Sequence, residues 1–405
     1  MTNSEIKELA GKYLINNYGE RQIALVRGEG VYVWDADGKK YLDFVAGIST
    51  NNLGHSHPKI VEAIIEQAKK LIHVSNLYYI EPQVRLAQRI VELSFADKCF
   101  FCNSGAEANE AAIKVSRKYS KEKFSEEKYE IITMKKSFHG RTITTLTATG
   151  QEKYQKGFEP LSPGFKYVPF NDIKAIEDAV TKNTCAIMVE PIQVEGGINV
   201  PSDDYLPKLR KFCDDNNILL IYDEVQTAMG RTGKLFGYEI FGAEPDIITM
   251  AKALGAGVPI GCMATRAHIA ESLTPGSHAS TFGGNPLVCS AALASINTIV
   301  DENLPKNAEK MGKYLTQKLL SIKEKFPVIK EVRGRGLIIG AELDIEGKEL
   351  VNQALKHGLI LNCIGTNVIR FVPPLIINEE QIDEGIGIFE KAMSEVTKRK
   401  LKVEG

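Results

Sequence analysis

Several absences bound this chain before any motif is considered. None of its apolar runs approaches the ~20 residues a membrane span requires. Seven cysteines are scattered along 405 residues, which is no disulfide framework and suggests a reducing compartment. Neither sign of charge dominates: 50 Lys and Arg oppose 51 Asp and Glu, for a net charge of −1. That balance gives no electrostatic case for nucleic acid or an anionic membrane surface as partner. The opening MTNSEIKELAGKYL carries Glu5 and Glu8 and lacks an apolar signal core, so neither export nor an Arg-rich transit peptide is indicated. Cytoplasm is the expected location. A GxGxxG fingerprint is missing; GRGLIIG at 334–340 has one residue too many and continues into AELDIEG rather than a helix. No metal is expected either. Cys99 and Cys102 have CxxC spacing without a second pair, and His55 and His57 in HSH lack a third ligand nearby.

What remains has the texture of a globular α/β protein, 43% hydrophobic and 25% charged, long enough for two domains sharing one site. VYVWDADGKKYLDF (31–44) predicts a hairpin around a DADG turn. HPKIVEAIIEQAKKLI predicts a helix with Ile60, Val61, Ile64, Ile65, Ala68 and Leu71 on one face. From about 99 to 265, six β-rich runs (CFFC, EIITM, CAIMVE, ILLIY, DIITM, IGCMAT) alternate with helical or irregular segments, the signature of a largely parallel sheet. DENLPKNAEK (301–310) reads as a linker into a long amphipathic helix, and the remainder as a smaller α+β domain. The basic tail TKRKLKVEG reads as a solvated end.

Polar clusters follow the carboxyl ends of five of these runs: NSGAE, SFHGRT, EPIQVEGG, DEVQ and AKALGAG. Open α/β sheets bind ligands at that edge. The run ILLIY ends in Asp223 and Glu224, and a carboxylate at a greasy strand end needs a compensating partner, expected to be a cation. Ser104 and Glu107 have capping-box spacing, so a helix starts there; with Gly105 beside it, that start suits a phosphate. Lys252 lies just past DIITM among Ala251, Ala253 and Leu254, where an apolar setting would depress its pKa and favour a Schiff base. A carboxylate, a Schiff-base lysine and a phosphate cradle together describe pyridoxal phosphate, whose ring nitrogen Asp223 would keep protonated.

The chain resembles the class III aminotransferases nearly end to end, through GISTNNLGHSHPKIVEAI, CFFCNSGAEANEAAIK, SFHGRT, TATGQEKYQKGFEPL, EPIQVEGGI, DEVQTAMGRTG, AKALGAGVPIG, STFGGNPL and IRFVPPL. The resemblance implies fold type I of the pyridoxal-phosphate enzymes: a large domain with a mostly parallel seven-stranded sheet and a smaller α+β domain. The implied boundaries are 1–55 joining the small domain, 56–300 for the large one and 301–405 for the small one. It also implies a homodimer with both active sites at the interface. By the same resemblance Lys252 bonds the cofactor and serves as base, and Asp223 meets the ring nitrogen. Val225 and Gln226 lie at the ring, Phe138 stacks on it, and Ser104, Gly105 and Ala106 hold the phosphate. Thr281 of the second subunit reaches the phosphate and Ser280 touches substrate. Arg141 clamps the substrate carboxylate. Glu195 neutralises Arg370 for an ω-amine donor and swings aside for 2-oxoglutarate. The implied reaction moves the ω-amino group of N2-acetyl-L-ornithine to 2-oxoglutarate, giving N-acetyl-L-glutamate 5-semialdehyde and L-glutamate, as in arginine biosynthesis. Ornithine, succinylornithine or 4-aminobutyrate as donor, an aminomutase, and a non-catalytic cofactor-binding regulator are the alternatives. The pattern departs at Val194, Ala228 and Ala256, where the family carries Gly. A positive φ there would be hardest for a β-branched Val; the changes could instead narrow the pocket.

Overall fold

A computed structural model describes residues 1–403; the last two residues of the basic tail lie outside it. The strands, in chain order, begin with β1 (Leu25–Glu29), β2 (Tyr32–Asp35) and β3 (Lys40–Asp43). The middle of the chain supplies β4 (Lys98–Cys102), β5 (Glu130–Met134), β6 (Phe165–Val168), β7 (Thr184–Val189), β8 (Leu219–Asp223), β9 (Ile247–Met250) and β10 (Gly261–Thr265). The end supplies β11 (Ile329–Arg335), β12 (Ile338–Leu343), β13 (Leu359–Ile360), β14 (Asn362–Ile364) and β15 (Val368–Phe371).

The central sheet has seven strands in the order β4-β10-β9-β8-β7-β5-β6. Only β10 runs against the others, so β4, β5, β7, β8 and β9 end on one edge. Its middle strands β7 and β8 are buried along their whole length, which explains their near-continuous apolar sequences. Helices cover the sheet. One of them, Gly105–Lys123, buries Ala108, Ala111, Ala112, Ile113 and Val115, small and branched side chains that allow close approach. The six β-rich runs are all strands; β6, half-buried and short, carried too weak a pattern to be read.

Two four-stranded sheets complete the fold, β1-β2-β3-β13 and β11-β12-β15-β14. The 31–44 hairpin forms as expected, and β3 pairs in parallel with β13 through Leu42–Leu359 and Asp43–Ile360. The start of the chain is thereby sewn to its last third. Two expectations need correction. DENLPKNAEK is no linker: helix Pro286–Asp301 is followed after Glu302 and Asn303 by helix Leu304–Lys325. Pro305 falls in the first turn, where its missing N–H breaks no intrahelical bond. The helix Pro58–Lys70 forms, but of its apolar face only Ile60 is buried, while Val61 and Ile65 stay exposed. Among the described residues no helix is long and apolar enough to cross a membrane.

Candidate active site

All five polar clusters line one cavity of about 410 Å³ at the carboxyl edge of the central sheet, joined there by Thr50. Each contributes through the loop that its strand feeds. At the floor, β8 ends in Asp223, which is 5% exposed. Its Oδ2 accepts from Asn109 Nδ2 at 2.8 Å and meets His139 Nδ1 at 2.8 Å, while Oδ1 accepts from the Val225 N–H at 3.1 Å. Asn109 is itself fixed: Nδ2 donates to the His139 carbonyl at 2.7 Å and Oδ1 accepts from Thr249 Oγ1 at 2.6 Å. Within the chain, therefore, Asp223 is met by an imidazole and an amide rather than by Lys or Arg. Sequence reasoning missed both. The only signals were their places in SFHGRT and on the polar side of a helix otherwise packed by alanines.

Lys252 sits two residues beyond β9, facing the same cavity. Its φ of 45° lies in the left-handed region, which costs a side-chain-bearing residue about 1–2 kcal/mol. Burial brings its pKa from 10.5 down to about 8; nearby Glu195 opposes this, Arg370 adds to it, and Asp223 and Glu190 oppose it. Glu195 and Arg370 form an ion pair, with Arg370 reaching from β15 at 1% exposure. Gln226 Nε2 donates to the same Glu195 oxygen at 3.1 Å, and Arg370 Nε donates to Asn362 at 3.1 Å. Burial raises the Glu195 carboxyl, but Arg370 and then Lys252 outweigh it and hold the pKa below the usual range.

A second buried carboxyl, Glu190, also escaped the sequence. Its Oε1 accepts the Phe138 N–H at 2.9 Å and Oε2 the Val194 N–H at 3.3 Å. Burial, with Asp223 nearby, pushes its pKa well above the ordinary value, which favours the protonated carboxyl. Phe138 and Arg141 follow β5. The Arg141 guanidinium lies 4.1 Å from the Tyr154 ring centroid and 5.3 Å from that of Phe138. It is exposed and has no ion-pair partner among the described residues.

The helix start at Gly105 differs in one detail from the expected capping box. Ser104 Oγ accepts from the Glu107 N–H at 3.2 Å, but the Glu107 carboxylate reaches the Asn103 N–H, at 2.6 Å. Gly105 and Ala106 keep first-turn N–H groups with no intrahelical acceptor. A Cβ at Gly105 would come within 2.8 Å of Val225 Cγ2, so the glycine lets the phosphate-suited turn close on the ring-facing loop. Four expected site residues do not line the cavity: Ser280, Thr281, Glu195 and Arg370. The last two are close enough to shift the Lys252 pKa. Ser280 Oγ is engaged by Asn103 Nδ2 at 3.2 Å and by the Gly283 N–H at 3.0 Å. Of the three departures, only Ala256 has positive φ, at 48°, and none of the three lines the cavity. The pocket-narrowing expectation is thus not met.

Residues 14–393 match the class-III aminotransferase family. The chain belongs to it. It is 54% identical over 391 residues to an acetylornithine aminotransferase of Methanocaldococcus jannaschii, covering 96% of this chain and 98% of that one. It is also 54% identical over 386 residues to one from Caldanaerobacter subterraneus, covering 95% and 98%. Among solved structures it resembles ornithine aminotransferase from Toxoplasma gondii (TM-score 0.95, 33% identity, 98% and 96% covered). It also resembles acetylornithine aminotransferase from Elizabethkingia anophelis (TM-score 0.88, 37% identity, 98% and 100% covered). The protein is a pyridoxal-phosphate-dependent aminotransferase of fold type I, within the acetylornithine and ornithine group of ω-aminotransferases.

The residues present fit that cofactor. Unpaired amides and a capping serine suit its phosphate, and a buried carboxylate that lines the cavity suits its ring nitrogen. Phe138 offers an aromatic face and Lys252 an amine largely deprotonated above pH 8. Gln226 Oε1 is buried with no donor among the described residues, as suits a group facing the ring hydroxyl.

Proposed function

We propose that the enzyme transfers the ω-amino group of N2-acetyl-L-ornithine to 2-oxoglutarate, forming N-acetyl-L-glutamate 5-semialdehyde and L-glutamate for arginine biosynthesis in the cytoplasm. The observation carrying this reading is that one cavity is lined by both a depressed-pKa amine (Lys252) and a hydrogen-bonded carboxylate (Asp223), with the Glu195–Arg370 ion pair close enough to Lys252 to act on its charge. The 54% identity to acetylornithine aminotransferases, against 33% to an ornithine aminotransferase, favours the acetylated donor.

When bound, the cofactor supplies an aldehyde and a pyridinium ring that takes up the electrons left at the substrate carbon. Lys252 Nζ would hold the cofactor's aldehyde and, once freed by a donor amine, would serve as the base that carries the substrate's proton. The Asp223 carboxylate would keep the ring nitrogen protonated, while Asn109 and His139 fix its Oδ2. Phe138 covers a ring face, with Val225 and Gln226 at the ring. Ser104, Gly105 and Ala106 bind the phosphate. Arg141, with no internal carboxylate partner, orients the donor's carboxylate as a bidentate clamp. Glu195 neutralises Arg370 while the donor is bound and leaves it when 2-oxoglutarate presents a second carboxylate.

The working unit is a homodimer in which a second copy supplies Thr281 to the phosphate and Ser280 to the substrate. Support comes from the exposed apolar side chains Leu77, Tyr78, Tyr79 and Phe282, with Val61 and Ile65 on the nearby helix Pro58–Lys70. Residues 56–300 form the large domain, and 1–55 with 301–405 the small one, a division consistent with the β3–β13 pairing. A donor panel with 2-oxoglutarate tests the reading: acetylornithine, ornithine, succinylornithine and 4-aminobutyrate. Acetylornithine should give the highest kcat/KM. A higher value for another donor overturns the substrate, and turnover without 2-oxoglutarate overturns the transamination.

A further inference from the structure

The loop after β7 holds a residue that the proposed mechanism gives no part. Val194 immediately precedes Glu195 and is fully buried. It belongs to an apolar cluster with Ile192 and Ile198 of its own loop and Ile338, Ile364, Val368 and Val372 of the C-terminal sheet and its exit. Val368 and Val372 flank Arg370 at two-residue spacing, and alternate residues of an extended strand point to one face. The side chain next to Glu195 thus packs on the face from which Arg370 reaches it. The far end of the loop is tied by polar bonds. Arg333 on β11 donates from Nε to the carbonyls of Gly197 (3.0 Å) and Ile198 (3.2 Å), and from Nη2 to that of Gly197 (2.7 Å). Val194 has no positive φ, so its side chain adds packing without backbone strain.

We propose that Val194 is a specificity-determining residue: by joining the Glu195 loop to the strand of Arg370, its side chain holds their ion pair closed and disfavours the dicarboxylate, which needs Arg370 free. The inference rests on the reading of Glu195 and Arg370 as a switch. Displacing the loop backbone would withdraw Val194 from its cluster. Opening is then left to rotation of the Glu195 side chain alone, against the bonds from Arg370 and Gln226. A ligand shifts such an equilibrium only by its differential affinity for the two states, so a stiffer closed state weakens the ligand that requires the open one. With glycine at 194 the loop could shift without losing an apolar contact.

The test compares Val194→Ala, Val194→Gly and Glu195→Gln as cofactor-loaded enzymes. The donor half-reaction with acetylornithine and the acceptor half-reaction with 2-oxoglutarate are followed separately by cofactor absorbance. Binding of glutarate, a dicarboxylate that cannot react, is measured by calorimetry. Both Val194 variants should bind glutarate about three- to tenfold tighter and gain similarly in kcat/KM for 2-oxoglutarate, a range bounded by the burial of one valine side chain. The donor half-reaction should change less than about twofold. Glu195→Gln should shift the acceptor-to-donor ratio whatever Val194 does; an unshifted ratio removes the switch and the inference with it. A shifted ratio in Glu195→Gln, with the Val194 variants unshifted or altered equally in both half-reactions, leaves the switch standing and overturns the role of Val194. Val194→Thr keeps the shape but places a hydroxyl in the cluster; it carries the same expectation should the smaller side chains fail to fold.

Discussion

Lys252→Met, examined without cofactor, separates the chemistry of the amine from its energetics. Burial is the main reason the lysine pKa falls from 10.5 to about 8. That gap corresponds to about 3.4 kcal/mol of penalty against the protonated form. Lys252 faces a cavity rather than sealed protein, and discounting for solvent leaves about 2 kcal/mol. The sign follows from proton binding. Below pH about 8 the folded and unfolded chains both hold the proton, and the full penalty is present. Between about 8 and 10.5 only the unfolded chain holds it, so native stability rises with pH. Above 10.5 neither does and the penalty is gone. Methionine keeps the reach of the side chain without the charge. The cofactor-free variant should therefore be about 2 kcal/mol more stable than the wild type at pH ~7, with more than half of that advantage lost by pH ~10. Urea unfolding of both cofactor-free proteins across that range reads the difference directly. A variant no more stable at neutral pH, or an advantage independent of pH, would show that Lys252 is not held in a charge-averse site.

Three further perturbations probe its neighbours. His139→Phe removes one charge-assisted hydrogen bond from Asp223, worth about 1.5–3 kcal/mol, so the cofactor dissociation constant by equilibrium dialysis should rise about ten- to hundredfold; no rise would mean that Asn109 and the Val225 amide suffice. Arg141→Ala should lower kcat/KM for carboxylate-bearing donors by about 30- to 1,000-fold and leave cofactor affinity within about twofold, whereas equal losses would make it a structural residue. Glu190→Gln retains an acceptor for the Phe138 N–H and mimics a carboxyl held neutral, so unfolding at pH 7 should change by less than about 1 kcal/mol. A loss above about 3 kcal/mol would mean that the carboxyl is charged.

How much of this was legible depended on whether the signal was local. The central sheet was readable because β7 and β8 are buried on both faces and spell that burial as unbroken apolar runs. Lys252 and Asp223 were readable because each breaks such a pattern at a strand end. β6 was not, being short and half-buried. His139 and Asn109 were invisible for another reason: their role exists only where loops from separate strands meet, 30 residues apart along the chain. Arg231 shows the same limit. Nothing in DEVQTAMGRTG marks it as buried, yet it is fully buried and donates to the carbonyls of Leu337 (2.8 Å) and Pro373 and to Asn52. Burial lowers its pKa to about 9. Backbone carbonyls more than 100 residues away in sequence satisfy it, and no local pattern encodes such partners. Ser280 and Thr281 escape a single chain for a related reason, because their proposed partners lie on a second copy.

The two carboxylates that end β8 make the same point at the scale of one peptide bond. Neighbouring residues of an extended chain point to opposite sides, so Asp223 enters the cavity while Glu224 turns away from it. Both are buried, and among the described residues neither forms an ion pair with Lys or Arg. Glu224 takes the backbone N–H groups of Gly237 and of Tyr238 (2.8 Å), at the start of the short helix Tyr238–Phe241. Even so, burial raises its pKa to about 7, because backbone amides offset only part of the desolvation. The expectation of a cation at this strand end thus fails for Glu224, which amides are enough to seat as a structural group. For Asp223 it stands only under the proposed function, in which the cofactor's ring nitrogen is the cation. There Asn109 and His139 both converge on Oδ2, Oδ1 accepts from the Val225 N–H, and the residue lines the cavity. What separates the two carboxylates is therefore not the degree of burial, which is nearly equal, but that Asp223 lines the cavity while Glu224 is held by amides outside it.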